Sequence, residues 1–141
     1  MSFSVRGGHH VAALATVDAR FRDGLSRAAN IAGASLKQEL EQGMKAANVP
    51  SNPGGYPGVR SGRLISSVGY EVSGHRFLRF GQGPVLTGTK NAVIWDYAKL
   101  THEGTSKMAP RPGVKIAVEA KRDDIERILG QVTFKFMVGG R

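Results

Sequence analysis

Residues 97–129 read YAKLTHEGTSKMAPRPGVKIAVEAKRDDIERIL, and the rest of the chain is organised around this stretch. A polar turn at His102-Glu103-Gly104-Thr105 leads into a loop bracketed by Pro110 and Pro112, and the loop opens directly into an amphipathic helix. Arg111 stands between the prolines and is held extended, because a residue before proline is kept out of helical conformations. Pro112 suits the first turn of the following helix, where its missing N–H costs nothing. That helix is expected over 112–131. Val114, Ala117, Val118, Ile125, Ile128 and Leu129 form its apolar face, and Arg122 and Glu126 stand four apart as a candidate ion pair. The stretch contains no nucleophile with its base, no metal cage and no phosphate cradle. It suits a protein that presents a shaped loop to neighbours.

Upstream, a second helix is expected from Val17, with Thr16 as its N-cap after a helical turn at 10–15. Val17, Phe21, Leu25, Ala28, Ala32, Leu36, Leu40 and Met44 trace one stripe at spacings of four with one of three. About thirty residues at 1.5 Å each make a rod of roughly 45 Å, long for so small a domain. Gly24, Gly33 and Gly43 each cost such a helix about 1 kcal/mol relative to Ala, and they imply either close approach of another backbone or bends.

Residues 48–62, NVPSNPGGYPGVRSG, hold three Pro and four Gly in fifteen positions and read as a loop. Ser61 is a candidate cap for a short turn at Arg63-Leu64-Ile65. Residues 68–72 and 76–80, joined by Ser73-Gly74-His75, read as a half-buried hairpin. Residues 81–91 form a second connector, and the apolar run 92–95 reads as a third strand with Trp95 in the core. Residues 2–6 alternate as a short opening strand. In 132–138, Val132, Phe134, Phe136 and Val138 alternate as a closing strand that needs an edge to join. The chain is thus a single domain over 1–141, with 132–141 an extra strand or a flexible tail.

A chain of 141 residues has enough material for one core without covalent staples. With no Cys, disulfide, zinc–thiolate and thiol chemistry are excluded. The first ten residues lack the apolar core of a secretion signal, and no run of roughly 18 apolar residues exists to span a membrane. The formal charge of +9 divides as +2 over residues 1–47, +5 over 48–111 and +2 over 112–141. The excess sits in the loop-rich middle and not along one helix, unlike a basic DNA-reading helix. It permits nonspecific attraction to a polyanion but names no partner.

Candidate chemistry is sparse. His9-His10 are adjacent and point apart on a helix, with no nearby carboxylate to complete a metal set. His102 and Glu103 with Asp96 resemble an acid–base cluster, yet no Ser, Cys or metal-ligand partner stands at useful spacing. Gly81-Gln82-Gly83 lacks the third glycine and the helix of a dinucleotide loop. Gly104-Thr105-Ser106-Lys107 lacks the upstream glycine of a phosphate loop, and Pro110 forbids the helix that should follow. Tyr56 and Trp95 are too scattered to form a base-stacking platform.

The arrangement itself carries the functional reading. A strand and long helix come first, followed by a Pro/Gly loop closing in SGRLISSV, a hairpin, YAKLTHEGTSKMAPRP, and a helix ending in DDIERIL. Over most of residues 2–131 this resembles the tail-completion (head–tail joining, neck) family of long-tailed double-stranded DNA bacteriophages. The likeness is sharpest at Ser61-Gly62-Arg63-Leu64 with Ser67, and at Glu103 to Met108 with Pro110-Arg111-Pro112. Gly113 stands where an aromatic commonly follows the Arg-Pro pair.

The fold expected is α+β: a small antiparallel sheet packed by one long N-terminal helix and one C-terminal helix, with long Pro/Gly loops. The resemblance implies a structural virion protein and not an enzyme, needing no cofactor or metal. It would assemble in the host cytoplasm as a homo-oligomeric ring of six copies at the neck. Its partners would be a portal, connector-adaptor or head-closure protein, a tail-terminator or tail-tube protein, and genomic DNA touched nonspecifically in the lumen; no membrane is involved. Arg63 and Leu64 would anchor the loop base, with Leu64 buried, while Thr105, Ser106, Lys107, Met108 and Arg111 would face a neighbour. Arg60, Lys90 and Lys107 are the candidate DNA-facing charges. The competing readings are a small basic nucleic-acid-binding protein, which predicts steeply salt-dependent DNA binding, and a small hydrolase working through His102 or Glu103.

Overall fold

The computed structural model describes residues 8–60, 62–75, 77–82 and 92–139; side chains are described from residue 15 in the first helix and from residue 98 in the third. The elements in chain order are helix α1 (Gly8–Ala46), the single turn α2 (Arg63–Ser66), strands β1 (Val68–Ser73) and β2 (Phe77–Gln82), and helices α3 (Ala92–Glu103) and α4 (Gly113–Met137). The architecture is α+β, two long helices with a two-stranded antiparallel sheet.

At 39 residues, α1 is about 58 Å long, and its C-terminal half is the centre of the fold. Leu40 and Met44 join Leu64, Val68, Ala98 and Ala117 in one buried cluster, so α1, α2, β1, α3 and α4 all contribute to the core. The α4 helix runs antiparallel to α1: Gly113 lies beside Leu40 at one end, Thr133 and Phe136 lie beside Gly24, and Gly139 approaches Arg20 at the other. Gly24, Ala28 and Ala32, four apart, are buried along this run, and small residues there let the helices approach closely. Lys121 of α4 reaches Glu39 of α1 across 3.6 Å.

The hairpin forms as its composition indicates. Val72 opposes Leu78, Tyr70 opposes Phe80, and Glu71 opposes Arg79, whose guanidinium lies 3.9 Å from the carboxylate. Leu78 and Phe80 turn inward, whereas Phe77 and Arg79 face out. The sheet packs on α1, with the Tyr70 ring lying over Gly33.

Four expectations are corrected. Thr16 is not a cap, because α1 begins at Gly8 and Thr16 lies within it. Residues 92–95 are helical and not a third strand; a run of four apolar residues is too short to separate the two periods. What continues the helix is the inward pair Ala98 and Thr101, three apart and both buried. Residues 132–137 likewise continue α4 in place of an edge strand. There Thr133 and Phe136 are drawn onto Gly24, while Phe134 and Val138, each 65% exposed, face away. Finally, Arg122 and Glu126 form no ion pair; α4 carries Lys115–Glu119, Lys121–Asp124 and Arg127–Asp124 instead.

The α1 stripe is buried from Ala28 onward, but Val17 and Phe21 are 42% and 39% exposed. α4 ends at Met137, and it is Gly139, beyond the helix, that lies near Arg20. Among the described residues no helix is long and apolar enough to cross a membrane. The expected opening strand at 2–6, Trp95's ring and most of the 81–91 connector fall outside the described set; Gly81 and Gln82 belong to β2.

Helix propensity alone says Gly33→Ala should stabilise α1 by about 1 kcal/mol. A Cβ at position 33, however, would run into the Tyr70 ring. We expect overpacking to win, with a net loss of about 1–2 kcal/mol in urea unfolding, while Gly130→Ala on open helix surface is neutral or stabilising.

Candidate functional site

Two loops meet at the C-terminal end of α1. The first follows Ala46 and runs through the Pro/Gly segment to Arg60; the second runs from Gly104 to Pro112. The second loop begins by closing α3. Gly104 takes φ +80°, which a side chain resists, and its N–H donates to the Leu100 carbonyl at 2.8 Å. The Arg111 N–H returns to the Thr101 carbonyl at 2.9 Å, so α3's last carbonyls are met by the loop they launch.

Between those anchors the chain folds into a tight projection. Thr105 and Met108 exchange backbone hydrogen bonds, 2.8 Å from the Thr105 N–H and 3.2 Å from the Met108 N–H. The Thr105 hydroxyl accepts from the Lys107 N–H at 3.2 Å. Thr105, Ser106 and Lys107 are exposed at this tip and Met108 is half-buried behind it.

Arg111 differs from the rest. Its Nε and Nη2 both donate to the Ser51 carbonyl, at 3.2 and 2.9 Å, and its Nη1 donates to the Ala109 carbonyl at 3.2 Å. The Gly54 N–H donates to the Pro110 carbonyl at 2.8 Å. The guanidinium therefore fastens the Pro/Gly loop to the second loop, and Arg111, one of the residues expected to face a neighbour, is half-buried at this junction. Its position between two prolines fixes where the side chain emerges, but its partner sixty residues away leaves no trace in the sequence.

Tyr56 secures the other side of the Pro/Gly loop. Its ring lies on Gly43, and its O–H donates to Glu39 Oε1 at 3.0 Å; the other Glu39 oxygen faces Lys121. Burial first, then the hydrogen bond and charge of Glu39, push the phenol up to about 12. A Cβ at Gly113 would stand 2.8 Å from Pro57 and 3.5 Å from Tyr56. The Pro/Gly loop thus fills the room that a side chain at 113 would need.

The two loops enclose a cleft of about 290 Å³. Arg60, Lys107 and Arg111 line it together with Ser51, Pro50 and Met108. No carboxylate forms an ion pair with any of these three cations among the described residues. Arg60 and Lys107, 47 positions apart in the chain, are thereby brought to one place. Leu64 is buried at 7% exposure and Arg63 is exposed on α2. Lys90 lies outside the described residues.

A neighbouring groove of about 330 Å³ is lined by Gln82, Ala98, Lys99, His102, Glu103 and Val114. His102 and Glu103 are exposed there, with no described hydroxyl or thiol between them to act as a nucleophile. Comparison of the chain with protein-family models, characterised proteins and solved structures gives no match.

Two measurements test the clamps. Arg111→Ala should cost about 1.5–3 kcal/mol, the range for hydrogen bonds from a charged group, and should speed amide exchange at Gly54; unchanged exchange would show that the loop is held otherwise. Tyr56 adds a pH effect of definite sign. Its folded pKa, about 12, lies above the ordinary 10.0, so its contribution is whole below pH 10 and lost as pH rises through 12. Denaturation curves from pH 9 to 12 should show this extra loss in the native chain and not in Tyr56→Phe.

Proposed function

We propose that the chain is a structural subunit of a long-tailed bacteriophage neck, forming a homo-oligomeric ring, of six copies by the resemblance, that joins the DNA-filled head to the tail. It would contact a portal-side adaptor or head-closure protein on one side and a tail-terminator or tail-tube protein on the other. In this reading it makes and breaks no bonds.

The observation that carries the reading is the meeting of the Pro/Gly loop with the second of the stretches that underlie the resemblance. The Pro/Gly loop and the loop Gly104 to Pro112 are far apart in sequence, yet Arg60, which stands just ahead of the first stretch, lines one cleft with Lys107, Met108 and Arg111. The tip beside this cleft is stiffened by backbone bonds and leaves Thr105, Ser106 and Lys107 outward. A rigid projection suits docking, since little freedom is lost when it binds. Ring contacts are head-to-tail and need two different faces. The second face is supplied in this reading by the exposed apolar side chains of the helix pair, Phe21 on α1 and Phe134 on α4.

The net positive charge that Arg60, Lys107 and Arg111 bring to this face also attracts a polyanion, which keeps a basic nucleic-acid-binding protein as the second reading. The two separate by salt. A dedicated DNA binder would hold duplex DNA in submicromolar, steeply salt-dependent complexes, whereas a neck subunit would bind it weakly at physiological ionic strength.

The direct test is Lys107→Glu combined with Ser106→Glu in the phage that encodes the chain. Both positions are exposed, so the purified protein should keep its unfolding midpoint. Lysates should accumulate filled heads without tails, counted by negative-stain microscopy. Normal numbers of tailed, infectious particles would overturn the proposal.

A further inference from the structure

We infer that the cleft between the two loops is a preformed receptor for carboxylate side chains, so that the partner docking here does so through an acidic peptide segment. This deepens the proposed function, resting on its reading that this face meets another protein.

Charge is the first argument. Three cations converge on a cleft of about 290 Å³, and none has a carboxylate partner among the described residues. Other basic residues of the chain do find acids: Arg22, Lys37, Arg79, Lys115, Lys121 and Arg127 all do so. Arg20, Arg27, Lys45, Arg63, Lys99, Arg122 and Lys135 also form no ion pair among the described residues, but none of them lines this cleft; what sets the cleft apart is three unpaired cations on one concave surface. Low-dielectric walls around a cleft strengthen its field relative to an open surface.

Donor geometry is the second argument. Three of the five guanidinium N–H donors of Arg111 are used on the Ser51 and Ala109 carbonyls. These bonds fix the plane of the group, and the remaining donors stay available to an incoming oxyanion without rotamer ordering. Arg60 and Lys107, both exposed, can close on the ligand from either side. Half-burial of Arg111 without a counter-charge is costly, and an added carboxylate relieves that cost.

The shape and walls select a peptide over DNA. The space accommodates one or two side chains and not the width of a duplex. Pro50, Pro57, Val49 and Met108 supply apolar wall that suits the methylenes of Glu or Asp. A DNA track needs cations spaced along successive phosphates, whereas these three line a single cleft.

The test uses the full chain with a hexaglutamate peptide, hexaglutamine and a 12-base-pair duplex as probes, followed by NMR titration. Hexaglutamate should shift the Arg111 Nε–H and the Lys107 amide, and hexaglutamine should not. Arg60→Gln with Lys107→Gln should weaken hexaglutamate binding by about tenfold or more, while Arg127→Gln, a cation away from the cleft, should leave it unchanged. The inference is overturned if hexaglutamate does not bind, if Arg127→Gln weakens it equally, or if the duplex binds through the same residues more tightly at the same salt. Loss of tail joining in the Lys107 variant without any acidic-peptide binding would remove this inference alone. Acidic-peptide binding without an assembly defect would remove the neck reading and keep the receptor.

Discussion

Room made by three missing side chains on α1 decides how the other elements can approach it. The Phe136 Cβ and the Thr133 backbone lie against Gly24, the Tyr70 ring against Gly33 and the Tyr56 ring against Gly43, so α4 brings its backbone into the first notch while β1 and the Pro/Gly loop each place an aromatic ring in theirs. At 3.6 residues per turn, positions nine apart point to opposite sides of a helix, and the third notch falls between them. One helix is therefore gripped on three sides. The helix gives up about 1 kcal/mol of propensity at each glycine and gains in return a close seat for a large apolar surface. Those seats fix the sheet, the antiparallel helix and the loop relative to one another, and with them the mouth of the cleft.

Much of this was legible beforehand because it is local. The hairpin, its turn and its half-buried alternation follow from composition, and both long helices follow from their stripes. The failures share a physical origin. The alternation of Val132, Phe134, Phe136 and Val138 fits a period of two, but in a helix the same residues split into two sets, 132 with 136 and 134 with 138. Contacts more than a hundred residues away in sequence accompany the helical solution: Gly24 makes room for the Phe136 Cβ, and Arg27 lies over the Phe136 ring. The glycines themselves are ambiguous in sequence between bends and close approach, since the group that fills each notch lies on another element. The Ala92 segment reads as a strand for a related reason: the buried Ala98 and Thr101, which continue the helix, lie beyond the four-residue apolar run.

The candidate site was legible in its parts but not in its assembly. Arg60, Lys107 and Arg111 stood out as cations in a loop-rich, charge-dense middle segment. That Arg111 turns inward to Ser51 whereas Lys107 stays outward depends on contacts sixty residues apart in one case and on a four-residue turn in the other. The result is a division of labour between neighbouring cations, one holding two loops together and the other left exposed at their rim.

The turn that carries Thr105, Ser106 and Lys107 closes on itself through main-chain groups, with only Gly104 constrained by its left-handed geometry. Of its outward side chains only that of Thr105 takes part, accepting from the Lys107 N–H. Such a tip can change its chemical lettering at Ser106 and Lys107 while its scaffold stays fixed, so a lineage could alter the surface it presents and leave the core untouched.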